Sequence, residues 1–134
     1  MIEEGLFAHL SADAGVSSLA ASRIFPLRVP QGQSIGDGAV VYQRVGSTRG
    51  HTTCATDRLV QGSFQIDAYA KTYIKAISLA RALRVALIDH TGPMGDTHVD
   101  RVFLETEFDT DDPEPGLYRV SATYTIWYLE DEES

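Results

Sequence analysis

From Tyr118 onward the chain alternates with a period of two. Tyr118, Val120, Ala122, Tyr124, Ile126 and Tyr128 fall on one side, and Arg119, Ser121, Thr123, Thr125 and Trp127 on the other. Only an extended chain puts every second side chain on the same face. β-branched and aromatic residues dominate the run, which suits a pleated, half-buried surface. Residues 117–129 therefore read as a long strand with one apolar and one polar face. Pro113, Pro115 and Gly116 stand just before it, where strand-breaking residues belong.

A second alternation covers residues 58–70, with Val60, Phe64, Ile66 and Ala68 opposed to Gln61, Ser63, Gln65 and Asp67. Residues 39–46, AVVYQRVG, are β-rich, and residues 97–108 read as a further strand with Val102, Leu104 and Phe108 on one side. The period changes over residues 71–89, where Tyr73, Ala76, Ile77, Ala80, Leu83 and Leu87 form one stripe of a long helix. It ends at Gly92, Pro93 and Gly95. Ile2, Leu6, Phe7 and Leu10 place a short amphipathic helix over residues 2–12, although Gly5 weakens it. Residues 14–21 add a second short helical turn, and Pro26 and Pro30 keep the following stretch extended. The element order is α-β-β-α-β-β, which predicts an α+β fold: a mostly antiparallel four-stranded sheet with helices packed on one face.

Residues 1–134 are expected to form one domain, large enough to bury a core, ending in a flexible acidic C-terminus at 130–134. No apolar run approaches the length that spans a bilayer, so no membrane partner is expected. The opening MIEEGLFAHL carries glutamates where a secretory signal needs positive charge, and Cys54 is the only cysteine. Both point to synthesis in the cytoplasm. The net charge of −8 is unevenly placed. Residues 1–104 carry ten Lys/Arg against nine Asp/Glu, whereas residues 105–134 carry ten Asp/Glu against Arg119 alone. An acidic end repels phosphate. It solubilises the chain or meets a basic partner.

Chemistry-bearing patterns fail on inspection. Asp109-Thr110-Asp111-Asp112 resembles the start of a calcium loop, but Pro113, Glu114 and Val120 occupy the fifth, sixth and twelfth positions, where an oxygen ligand, a glycine and a glutamate are required. The stretch reads instead as a solvated hairpin loop. His51 and Cys54 have ligand-like spacing without a second pair to complete a zinc site. No serine sits in a nucleophile elbow, and the glycines at 36, 38, 92 and 95 are turn glycines, not a phosphate cradle. No catalytic residue, metal ligand or cofactor is assigned. Residues 47–57, STRGHTTCATD, are too long for a tight turn and read as a mobile hairpin loop, which with its flanks takes a basic bias from Arg44, Arg49, His51 and Arg58.

The succession MIEEGLFAHLSADAGV, SRIFPLRVPQG, AVVYQRVGSTRGHT, VQGSFQIDAYAKTY, ARALRVAL and PGLYRVSATYTIWY resembles the tail-completion, or tail-terminator, proteins of long-tailed bacteriophages, prophages and gene transfer agents, over Met1 to Leu129. The resemblance implies a structural virion protein in the neck region of the tail. Such proteins form a homo-hexameric ring on the head-proximal end of the tail tube, stop tube polymerisation and meet the head-neck connector proteins. DNA passes through the ring without sequence-specific binding. Interface or lumen candidates are then Arg44, Arg49, His51 and Arg58 around the long loop, and Asp109, Asp111 and Asp112 in the acidic stretch 105–114. Two other readings stay open: a head-completion (connector) protein of the same particle, and a small cytoplasmic thiol enzyme using Cys54 and His51.

Overall fold

The computed structural model describes residues 1–32, 34–49, 59–88, 90–111 and 117–129. In chain order these form α1 (Ile2–Ala12), α2 (Ala14–Ala20), β1 (Ile24–Pro26), β2 (Ala39–Arg49), β3 (Leu59–Ala70), α3 (Tyr73–Leu87), β4 (Gly92–Met94), β5 (Thr97–Asp111) and β6 (Tyr118–Leu129). The strands build one sheet in the order β1-β2-β3-β6-β5-β4, in which β1 pairs parallel to β2 and the other neighbours are antiparallel.

The sheet thus has six strands, not the expected four, and the element order gains a helix and two strands. The missed strands are three residues long, lie at the two edges of the sheet and each contain a proline, Pro26 and Pro93. An edge strand needs hydrogen bonds on one side only, so it tolerates a residue without an N–H. α2 is a separate helix because Asp13 interrupts the run: its carboxylate accepts from the Val16 N–H at 3.0 Å and starts a new N-terminus. Thr72 caps α3 in the same way, accepting from the Lys75 N–H at 3.2 Å.

The core lies between the helices and one face of the sheet. On β3 it takes Val60, Phe64, Ile66, Ala68 and Ala70, and on β6 Val120, Ala122, Tyr124, Ile126 and Tyr128. The register places Phe64 opposite Tyr124 and Ile66 opposite Ala122, so the two alternations meet apolar side to apolar side. Ile2, Leu6 and Leu10 of α1 and Ala76, Leu79, Ala80, Leu83 and Leu87 of α3 close the core from the other side. Two expected core aromatics lie outside it. Phe7 is 42% exposed and Tyr73, at the first turn of α3, is 46% exposed.

Phe108 is a third correction, and its cause is a β-bulge. Between Leu104 and Thr106 the pairing with β6 shifts by one residue, leaving Glu105 without an opposite number. Beyond a bulge the two faces exchange occupants. Leu104 pairs with Tyr124 on the core face, whereas Phe108 pairs with Ser121 on the other and is 55% exposed. A matching bulge interrupts β2 between Arg44 and Gly46. Both bulges sit level with the Phe64–Tyr124 pair, so the strands flanking the central two bend at the same height.

Gly5 weakens α1 by propensity but permits its position. A Cβ there would stand 2.0 Å from the Met94 carbonyl oxygen, and its Cα already approaches Gly95, which has φ +63°. Helix propensity alone predicts that Gly5→Ala stabilises by about 1 kcal/mol. The clash with backbone overrides that, and we expect a net loss of about 1–3 kcal/mol in urea unfolding. A second expectation concerns alkaline pH. Burial, with the charge of Glu107 adding to it, pushes the Tyr124 phenol well above its ordinary 10.0, against a smaller opposing effect of Arg84. Burial and Glu3 raise Tyr42 as well. The folded state keeps these protons when the unfolded chain gives them up, so their contribution is intact below pH 10 and declines above it. Unfolding free energy measured against pH should fall above pH 10 for the native chain and fall less steeply for Tyr124→Phe.

Candidate assembly surfaces

The face of the sheet away from the helices carries polar and aromatic side chains. Gln43, Gln65, Thr123 and Thr106 follow one another across four strands, with Val41, Asp67, Ser121 and Phe108 in the next row. Gln65 holds this surface together, since its side-chain N–H groups donate to the Asp67 carboxylate at 3.2 Å and to the Ser121 hydroxyl at 3.2 Å. Asp67 is only 6% exposed. Leu27–Gly32 and Ile35 stand beside it and line an open cavity of about 530 Å³ with Val41, Gln43, Gln65, Asp67 and Tyr69, bordered by Arg28 and Arg119. Arg119 lies 5.9 Å from the centroid of the Tyr69 ring and donates to its hydroxyl at 3.3 Å. Leu27 enters this stretch with φ +68°, unusual for a branched side chain, and its N–H donates to the Tyr42 carbonyl at 2.9 Å. Sequence reading missed the cavity. Asp67 sits in the polar half of an alternation and reads as solvated, and nothing local announces that a proline-interrupted stretch stands beside it.

Farther along the same face, Phe103 and Phe108 of β5 stand half exposed, with the Arg101 guanidinium 5.5 Å from the Phe103 centroid. The face therefore offers a polar, partly covered half over β2 and β3 and an aromatic half over β5.

The expected site residues separate into two groups that the fold does not bring together. Arg44 lies on β2, exposed, with its guanidinium 3.2 Å from Glu3 of α1. Arg49 takes the last position of β2, opposite Val60. Asp109 and Asp111 lie on β5, opposite Val120 and Tyr118. β3 and β6 intervene, so the two outer strands are roughly 14 Å apart, three strand spacings. His51, Arg58 and Asp112 lie outside the described residues, as do residues 50–57 of the expected loop and the C-terminal 130–134. Ser47, Thr48 and Arg49, expected in that loop, continue β2 and pair with Gly62, Gln61 and Val60.

Asp109–Asp111 is likewise strand and not hairpin loop, because β5 keeps its pairing with β6 to Asp111. This changes what the acidic stretch does. After the bulge, Glu107 and Asp109 point to the helix side, where Arg84 of α3 donates to Glu107 at 3.2 Å and the Tyr73 hydroxyl donates to Asp109. That hydrogen bond, together with the Asp109 charge, raises the Tyr73 phenol above its ordinary range. The Tyr73 ring also meets Tyr118 edge-on at 6.2 Å. Two carboxylates of the acidic run thus fasten α3 to the sheet, while Asp100 and Glu105 remain exposed on the outer strand. Elsewhere, His9 and His90 are in ring contact at 4.4 Å, each bonded to a backbone carbonyl, of Ala86 and Pro93. Among the described residues no three His, Cys, Asp or Glu side chains group as metal ligands, and no helix is long and apolar enough to cross a membrane.

Comparison with known proteins follows the same lines. A family model described as tail completion protein gp17 matches residues 4–129. A chain in the virion of a native gene transfer agent particle has the same fold, with a TM-score of 0.73 and 14% identity over 96% of this chain and 94% of that one. A second solved chain matches with a TM-score of 0.59 and 9% identity over 98% of both. No curated protein matches in sequence.

The Arg84–Glu107 contact is partly solvent-exposed, so its contribution is small and salt-sensitive. Glu107→Gln should cost about 0.2–1 kcal/mol in urea unfolding at low salt, and the difference from the native chain should shrink in molar sodium chloride.

Proposed function

The chain belongs to the family of tail completion protein gp17, and from that premise we propose that it forms a ring on the head-proximal end of the tail tube. As a member of that family it is a structural protein of a phage-type tail. The ring, six-membered as in tail terminators, ends polymerisation of the tube protein, presents a surface to the head-neck connector, and leaves a lumen through which DNA moves without being read. The observation that carries this reading is the family match over nearly the whole described chain, with the gene transfer agent virion chain as its structural counterpart. The architecture is compatible with it. Outer strands of opposite charge on the two sides of one sheet suit heterologous contacts, which close into rings.

A negative lumen would let DNA slide without adhering, since phosphates are repelled by carboxylates. Asp109, Asp111 and Asp112 are interface or lumen candidates, as are Arg44, Arg49, His51 and Arg58. The reading assigns the chain no catalytic role and places it in the neck region of the virion after synthesis in the host cytoplasm.

Deleting the gene from the element that carries it, followed by electron microscopy of the particles, tests the proposal. Over-long tails without heads are the expected result. Tails of normal length beside full, unjoined heads would move the protein to head completion, and normal joined particles would overturn a role in the tail terminus altogether.

A further inference from the structure

Asp67 lies on β3, inside the sheet, with 6% of its surface exposed. The ion pairs formed among the described residues lie elsewhere, and none engages it. Its donor is the Gln65 amide, whose nitrogen stands 3.2 and 3.3 Å from the two carboxylate oxygens and 3.2 Å from the Ser121 hydroxyl. That nitrogen carries two hydrogens for three acceptors, and a carboxylate offers about four acceptor sites of its own. A buried carboxylate so thinly served is costly unless a further donor reaches it. The open cavity of about 530 Å³ that Asp67 helps to line is where such a donor can enter.

The walls select the donor. Leu27, Val29, Pro30, Val41 and Leu117 make them largely apolar. An aliphatic stem packs along such walls and carries a cationic head to the carboxylate, as lysine and arginine side chains do. Arg28 and Arg119 border the cavity, so a segment that brings the basic side chain is favoured when acidic residues flank it. Other features set the size of the partner. Leu27 holds φ +68°, a conformation costly for a branched residue, and leaves its side chain 70% exposed beside the cavity. Residues 26–31 also line a second open hollow of about 740 Å³, so the same stretch presents surface to both. Pro26 and Pro30 restrict its backbone, which lowers the entropy lost on binding. Phe108, 55% exposed, lies two strands from Asp67 in the same row, roughly 10 Å away. Surface of that extent exceeds what a small ion covers and matches an extended peptide segment.

We propose that the cavity beside Asp67 receives a lysine or arginine side chain from an extended, acid-flanked segment of another protein of the particle, with Leu27 and Phe108 packing against apolar residues of that segment. The inference goes beyond the ring reading and does not depend on ring closure, because it requires only a second protein beside this one in the tail.

Photo-cross-linking in assembled particles tests this. The photoreactive residue p-benzoylphenylalanine is placed at Leu27 and, separately, at Gln31, particles are irradiated, and the joined peptides are identified by mass spectrometry. The expected product links this chain to a different protein of the particle, at a segment that carries a lysine or arginine. Its yield should fall about tenfold or more in Asp67→Asn. Asparagine keeps an oxygen that accepts from Gln65, and a thermal melt checks the fold of the variant. Changing the partner's basic residue to glutamine reads the same contact from the other side, with this chain unaltered, and should give the same fall. A product between two copies of this chain, a partner segment without a basic side chain, or a yield that stays at the native level in either substitution would each overturn the proposal. So would the absence of any product from both positions.

Discussion

The pairing of β3 with β6 is the contact from which the rest of the molecule is built. It runs without interruption from Leu59 opposite Leu129 to Ala70 opposite Tyr118. At its middle Phe64 faces Tyr124, both fully buried. Gly62 makes room beside them: a Cβ at that position would stand 2.9 Å from the Phe64 ring and 3.1 Å from Tyr128. Because side chains alternate strictly, a slip of one residue by β3 would turn Asp67 and Gln65 into the core and expel Ile66, and a slip by β6 would do the same with Arg119 and Val120. The price of such a slip, several buried polar groups without partners, fixes the register far more firmly than backbone hydrogen bonds could.

Given that central pair, the outer strands have less freedom than their lengths suggest. Both β2 and β5 must follow the twist of β3 and β6, and both accommodate it with an extra residue beside the Phe64–Tyr124 level. On β5 the extra residue decides chemistry. It sends Phe108 to the open face and turns Glu107 and Asp109 toward α3, where they meet Arg84 and Tyr73. One residue added to a strand thereby separates a continuous acidic run into carboxylates that hold the helix and carboxylates that face outward.

Much of this was legible in the residues. The alternations at 60–68 and 118–128 and the helical stripe of α3 are strong because burial on one side imposes the period directly. β1 and β4 were not legible, since three residues carry no period and Pro26 and Pro93 read as breaks. Phe108 was misplaced because a bulge has no sequence mark when the inserted residue, Glu105, fits a polar position on either count. Of the candidate site, Arg44 and the acidic stretch were found by charge alone. That Glu107 and Asp109 are engaged by α3 depends on a helix distant in the chain. The cavity beside Leu27–Gly32 depends on a long-range approach that no local pattern encodes.

Chain order adds a constraint in time. β6 lies between β3 and β5 in the sheet but follows both in the chain. As the polypeptide leaves the ribosome, β3 waits on one side and β5 on the other, each lacking the strand that joins them. Closing loops this long is entropically slow, so the sheet is completed late, by insertion and not by extension. Until then β5 has only the short β4 beside it and no fixed register, so Glu107 and Asp109 are not yet held against α3. The sheet face that β6 completes therefore takes its final form only with the last strand.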